Sequence, residues 1–354
     1  MAIDGTVTAG SQFEMAIAEE SVFGTAITAT TTDTWKLLHL TEHSEWDLSG
    51  LIRDETMRLR GSRVPHNTDN FFSRAGGIVV IPFTCVATKI TLDLLLYAVM
   101  QDIVSEDVAD PFEKIFERDG ATTQPEFTDN TGKLFTVVLN GGITSEDMIA
   151  TTCLLRDLTI ASDPGTNGGR LTCSGNFLSG FTSANKFFES GSQAFGTATQ
   201  PGTGYFNHCN LVTKTIGGAD LIVESYSYTF NNKAVRIGCD ANGDAESYAL
   251  GIGGYEITGS IRLLYDDNAK GLVTNGLTSA FDTQLVLAYG SGNDPADTDG
   301  DFLQKLNINI PQTARDFAAE TGTMLDVTFK GADDGTNEMA EIEIANAVDR
   351  SWTA

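Results

Sequence analysis

The sequence predicts a mainly β protein in which one domain plan occurs twice. Three observations carry that prediction. Residues 223–230 alternate Tyr226, Tyr228 and Phe230 with Ser225, Ser227 and Thr229, the period of a half-buried strand. The 36 glycines against 8 prolines supply many tight turns. A Gly-Gly pair, an apolar strand and a helix-compatible segment occur at Gly76-Gly77 and again at Gly253-Gly254, an offset of 253 − 76 = 177, half of the 354 residues.

The elements follow in order. Residues 1–34 are polar and rich in Thr and Ala, the composition of an N-terminal arm. A short strand is predicted over 35–40. Residues 41–75 then form a connection longer than the roughly 12–15 residues a compact domain usually leaves without structure. It carries Trp46, Arg53, Arg58, Arg60, Arg63, Phe71 and Phe72. Aromatics and arginines are what contact surfaces enrich, so this long arm is read as an interface rather than a loop folded back on its own domain.

Residues 78–84 read as a buried strand. Over 89–101, Ile90, Leu94 and Tyr97 fall near helical spacing, with Lys89, Asp93 and Asp102 on the surface. Strands are expected at 112–117 and 134–139. A hairpin spans 154–161 and 170–181, its return strand setting Leu171, Cys173 and Phe177 against a wet face of Thr172, Ser174 and Asn176.

The Ser, Thr, Gly and Ala content of 182–204 is that of a linker, which divides the chain into a first domain at 35–190, a linker at 191–204 and a second domain at 205–354. In the second domain, Tyr255, Ile257, Ile261, Leu263 and Tyr265 share one strand face, leaving Glu256, Thr258, Ser260 and Arg262 on the other. The following helix, 269–281, contains Gly271 and Gly276, each costing about 1 kcal/mol relative to Ala. Strands are expected at 306–310, 325–330 and 341–345.

The formal net charge is −26, from 22 Lys and Arg against 48 Asp and Glu. Such a surface repels phosphate and anionic lipid, which argues against specific nucleic-acid binding and membrane association. The five cysteines, Cys85, Cys153, Cys173, Cys209 and Cys239, have no metal-ligand or redox spacing and read mostly as small core residues. The first residues lack the basic and apolar regions of a secretory signal.

Candidate chemistry is sparse. The acidic run 294–301 resembles a calcium loop, but aligning Gly300 with the loop glycine puts Pro295 at the first ligand position and Leu306 at the last. His39 and His43 are four apart with no third ligand in pattern. Gly251-Ile252-Gly253-Gly254 precedes a strand rather than opening a helix, the wrong context for a dinucleotide loop. No nucleophile elbow or Walker loop is present, so no catalytic, cofactor or metal site is expected.

The order of elements resembles a known family. A Glu-x-x-x-Gly-Thr-Ala run from Glu20 to Ala26, a strand with a long arm, the Gly-Gly strand-helix unit, and Ile310-Pro311 followed by an acidic hairpin at 325–347 are similar to the major tail tube proteins of long-tailed bacteriophages. The resemblance implies two tandem tail-tube-like β-sandwich domains, each with a flanking helix, whose sheets join those of neighbours into a ring-shaped β-barrel. It implies a structural virion protein, assembled in the host cytoplasm, whose stacked rings form the hollow tail tube through which DNA passes without specific binding.

The implied partners are further copies of the chain and other tail proteins. A duplicated chain would build the ring from three copies, with six as the alternative. The long arm, with Trp46, Arg53, Arg58, Arg60, Arg63, Phe71 and Phe72, would bind the next ring, and Glu256, Thr258, Ser260 and Arg262 would face the lumen. The competing expectation from another class is an acidic, calcium-binding, cell-surface or carbohydrate-binding β protein.

Overall fold

The computed structural model describes residues 14–20, 27, 35–42, 44, 53–57, 70–74, 79–101, 103, 105–107, 110–118, 133–140, 147–179, 188–189, 204–237, 249–278, 282–292, 298–318, 322–333 and 338–347. The protein is mainly β. The first half contains β1 (Glu14–Glu19), β2 (Lys36–Leu38), β3 (Arg53–Met57), β4 (Asn70–Arg74), β5 (Val79–Val86), α1 (Lys89–Met100), β6 (Ser105–Glu106), β7 (Phe112–Arg118), β8 (Phe135–Asn140), β9 (Asp147–Ser162), β10 (Thr172–Ser179) and β11 (Phe188–Glu189). The second contains β12 (Leu211–Ile216), β13 (Ala219–Asp220), β14 (Val223–Asn231), β15 (Ala234–Ile237), β16 (Ala249–Ile252), β17 (Glu256–Leu264), α2 (Asp267–Thr278), β18 (Asp282–Tyr289), β19 (Phe302–Ala318), β20 (Gly322–Gly331) and β21 (Ala340–Asn346).

An antiparallel run β5-β10-β9-β14-β17-β20-β19 crosses from the first half of the sequence to the second. The crossing point is β14, which takes β9 on one edge and β17 on the other. The two longest strands, β9 and β19, each serve two sets of neighbours. The N-terminal half of β9 pairs with β8, which leads to β1 and β2. The N-terminal half of β19 pairs with β18 and β21, which lead to β12 and β7.

Each long strand changes neighbours near a β-bulge. The β9–β10 register shifts between Asn176 and Phe177, and the β19–β20 register shifts between Asn309 and Gln312. An extra residue bends the strand and lets its two halves point into different sheets. Pro311 sits in the second bulge, where a missing N–H costs no ladder bond.

The core lies between the long sheet and the strands that branch from it. Phe177 of β10 meets Phe135 of β8 edge-on at 6.4 Å between ring centres, and Tyr97 of α1 meets Phe135 at 6.4 Å. On the other side, Tyr226 of β14 shares a 2.7 Å hydrogen bond with Tyr289 of β18, and Tyr228 donates to Gln304 of β19 at 2.6 Å. One hydrophobic cluster contains buried residues from both halves.

The helix expected over 89–101 forms as α1. Thr88 caps it, its Oγ1 accepting from Thr91 N–H while Thr91 Oγ1 accepts from Thr88 N–H. Gln101, in the left-handed conformation at φ 68°, ends it. The helix is not amphipathic in the way its spacing suggested: residues 91–100 are all buried, Asp93 among them. Asp93 goes inside because Lys114 meets it there, and charged groups are buried only when paired.

One further reading changes. The stretch expected as an arm at 1–34 includes β1, whose Met15, Ala16, Ile17 and Ala18 are buried between β2 and β8. Its Met-Ala-Ile-Ala core carries too little β-branched character to stand out as a strand. The helix expected over 269–281 forms as α2, Asp267–Thr278, and Gly271 lies at an open position.

The two helices stand at a slightly different spacing from the Gly-Gly pairs: α1 begins at Lys89 and α2 at Asp267, an offset of 267 − 89 = 178. An offset of 177 would match buried Val79 with half-exposed Glu256, and 178 matches it with buried Ile257. A one-residue slip turns every strand side chain to the wrong face. The linker expected at 191–204 lies outside the described residues except at Gly204.

Candidate functional site

One face of the long sheet is polar in rows that cross four to six strands. Pairing places Thr84, Ser174, Thr159, Thr229, Thr258 and Lys330 side by side on β5, β10, β9, β14, β17 and β20. The next row contains Thr172, Ala161, Ser227, Ser260 and Thr328. A third contains Asn176, Asp157, Asn231 and Glu256. Period-two alternation in each strand puts these residues opposite Tyr226, Tyr228, Phe230, Ile257 and Ile261, which are buried.

Hydrogen bonds tie the rows together. Thr159 Oγ1 and Thr229 Oγ1 are 2.7 Å apart across the β9–β14 junction. Asn176 Nδ2 donates to Asp157 Oδ1 at 2.7 Å, while Arg156 Nε donates to Asp157 Oδ2 at 2.7 Å. Arg262 Nη1 reaches both carboxylate oxygens of Asp326, at 3.3 and 3.2 Å, and Lys233 pairs with Glu256 at 3.0 Å. The cations Arg156, Lys233 and Arg262 are thus each matched to a carboxylate. Exposed pairs of this kind contribute about 0–1 kcal/mol, so they set the charge pattern more than the stability.

This face contains the four residues read from sequence as one strand face. Glu256, Thr258 and Arg262 are half-exposed and Ser260 is exposed. The face is rich in hydroxyls rather than acidic, although the whole chain carries a formal net charge of −26. A groove of about 340 Å³ opens at its edge, lined by Ser162, Asp163, Ser225, Ser260, Arg262 and Asp326.

Ser162 contacts His208 Nδ1 at 2.9 Å, a pairing seen in hydrolases, but Ser162 is only 1% exposed and His208 Nε2 is held by the Val223 carbonyl at 3.1 Å. With the hydroxyl buried and the ring fixed between β9 and β14, the pair joins the two halves of the sheet. His39 is likewise engaged, its Nδ1 lying 3.1 Å from the Tyr205 hydroxyl. His43 is outside the described residues.

Of the arm residues, Trp46, Arg58, Arg60 and Arg63 lie outside the described residues. Arg53, Phe71 and Phe72 are placed by backbone: β3 and β4 form an antiparallel hairpin in which Arg53 is opposite Arg74, Glu55 opposite Phe72 and Thr56 opposite Phe71. The arm thus contains a hairpin that the sequence reading left without strands. β15 and β16 form a second two-stranded hairpin, just before β17 as β3–β4 stands just before β5.

The acidic run at 294–301 is described only from Thr298. There, Asp301 is 2% exposed and accepts from the Ser291 N–H at 2.6 Å and the Thr298 N–H at 3.2 Å. Its carboxylate closes the β18–β19 turn. Among the described residues, no group of three or more His, Cys, Asp or Glu could hold a metal ion.

Glu20, the first residue of the Glu-x-x-x-Gly-Thr-Ala run, has a role the sequence did not reveal. Its Oε1 accepts from Thr136 Oγ1 at 2.7 Å and from the Thr152 N–H at 2.8 Å, at the irregularity where Thr152 takes φ 51°. Thr136 Oγ1 also accepts from the Ile27 N–H at 3.0 Å, so the first residue of the run and the residue that follows it are both fixed to one threonine.

No protein-family model matches the chain, and no curated protein matches it.

Proposed function

We propose that the chain is a structural protein whose copies form rings that stack into a hollow tube, the tail tube of a long-tailed bacteriophage, with DNA passing through the lumen. The observation that carries this reading is the long sheet with one polar face that runs through both halves of the chain. A ring wall needs such a sheet, wet on the inside and packed on the outside. Its hydroxyls and self-paired charges offer few free cations for phosphate, so a polyanion would slide past without the counterion release that holds DNA to basic proteins.

A second feature supports duplication. β5-β10-β9-β8 and β17-β20-β19-β18 have the same pairing order, each with a helix after its first strand, a hairpin before it and a bulge in its long strand. Two tandem units in one chain favour a ring of three copies, with six as the alternative. The arm with β3 and β4 would make the contact between rings. The role is structural, not catalytic, and its site is a virion tail assembled in the host cytoplasm.

Negative-stain microscopy of the purified full chain tests the reading. Hollow tubes with a regular axial repeat are expected; a compact monomer at high concentration would overturn it.

A further inference from the structure

The two halves differ at one edge. On β9, residues 157–161 pair with β10 on one side and residues 157–162 pair with β14 on the other. On β19, the matching stretch is reached through the shared pairing order: the first residues paired beyond each bulge are Asp157, opposite Asn176, and Gln312, opposite Thr328, an offset of 312 − 157 = 155. That offset carries 157–162 onto 312–317. Those residues pair with β20 on one side, and among the described residues no strand pairs with the other side. β18, which occupies that side lower down, stops pairing at Asn309.

The same comparison identifies what belongs there. In the second half the strand that covers β9 is β14, which also lies along the outer edge of β17. The outer edge of β5, the counterpart of β17, carries the chain that follows β2. Leu40 bridges to Cys85, the Thr41 N–H donates to the Thr84 carbonyl at 2.9 Å, and the Ser44 hydroxyl donates to the Pro82 carbonyl. This segment therefore stands to β5 as β14 stands to β17. Among the described residues, this segment ends the long sheet on one side and the 312–317 edge of β19 ends it on the other.

We infer that residues 312–317 of β19 take the β2–β5 connecting segment, at residues 40–44, of a second copy of this chain, in the way β9 takes β14 within the chain. The joint is head to tail: each copy offers one β19 edge and one 40–44 segment, so copies add in one direction and close a ring when the rotation permits. Such closure also disposes of two strand edges that would otherwise promote irregular aggregation. The ring rests on the proposed function; the edge pairing rests only on the repeated topology.

Amide hydrogen exchange on the full chain, compared between dilute monomer and assembled material, tests the pairing. Peptides covering 312–317 are expected to exchange at least ten-fold more slowly on assembly, while those covering 157–162 stay protected in both. A second measurement uses Glu42→Cys, at an exposed position, combined in turn with Asp316→Cys, Phe317→Cys or Ala318→Cys, in a background carrying Cys209→Ser and Cys239→Ser. Oxidation is expected to give ladders of cross-linked chains for at least one pair.

Tubes whose 312–317 amides exchange as fast as in the monomer, with only uncross-linked chains after oxidation, would overturn the edge pairing and leave the tube reading standing. Cross-linked rings that never stack would do the reverse. A chain that stays monomeric at all concentrations would overturn both.

Discussion

Lys114 Nζ lies 2.6 Å from Asp93 Oδ2, with the lysine side chain fully buried and the aspartate 3% exposed. Asn346 completes the cluster, its Oδ1 3.3 Å from Lys114 Nζ and its Nδ2 within 3.4 Å of Asp93 Oδ2. The three residues come from β7, α1 and β21, so an ion pair joins α1 to β7 and amide hydrogen bonds tie both to the C-terminal strand. Lys114→Ala would leave a buried carboxylate without its cation, and a loss of about 3–5 kcal/mol is expected by denaturant titration. The double variant Lys114→Met with Asp93→Leu is expected to recover most of that loss, because it removes both charges together.

Glu20→Ala should destabilise by about 1–3 kcal/mol, since the Thr152 N–H is buried and loses its acceptor. Glu20→Gln keeps an acceptor oxygen and is expected to cost less. Thermal melting of the two variants side by side separates the hydrogen bond from the charge.

Gly259 is required by the ring above it. A Cβ at that position would fall 2.3 Å from Phe329 Cζ and 2.8 Å from the Ser227 carbonyl oxygen. Gly259→Ala is therefore expected to destabilise by about 1–3 kcal/mol through overpacking. Pairing it with Phe329→Leu should return part of the loss, and a double-mutant cycle measures the coupling.

Stability should fall at alkaline pH. Burial pushes the Cys85 thiol from 9.0 up to about 12 and the Tyr289 phenol from 10.0 up to about 12, and raises Cys153, Cys173, Tyr226 and Tyr228 as well. These groups are neutral acids whose folded pKa exceeds the unfolded one. Their contribution is complete below about pH 9 and is lost as pH rises toward the folded values. The denaturation midpoint is expected to be flat from about pH 7 to 8.5 and to drop between about pH 9 and 12. At neutral pH, a thiol reagent should modify exposed Cys209 and spare buried Cys85, Cys153 and Cys173 until the chain unfolds.

The arm is expected to act between rings. Deleting residues 54–71, which removes most of the β3–β4 hairpin, should leave rings that do not stack, read by microscopy alongside circular dichroism. Normal tubes from that variant would exclude the arm from stacking.

Much of the fold was legible because its signals are local. Tyr226, Tyr228 and Phe230 alternate with hydroxyl residues, and that period alone fixes β14 and its two faces. Glu256, Thr258, Ser260 and Arg262 share one face by the same period, and the helix expected over 89–101 forms as Lys89–Met100. What escaped was set by distant partners. β1 is a strand because β2 and β8 flank it, and Asp93 is buried because Lys114 arrives from β7.

The amino-acid sequence by itself determined the β class, the repeated strand-helix unit and the polar face, since each follows from side-chain period and turn residues within a short window. Only the tertiary structure decided that one sheet runs through both halves of the chain and that, among the described residues, 312–317 of β19 pair with a strand on one side alone. Those depend on hydrogen bonds between strands far apart in the chain, and a backbone ladder carries no mark in the sequence of which strand it will meet.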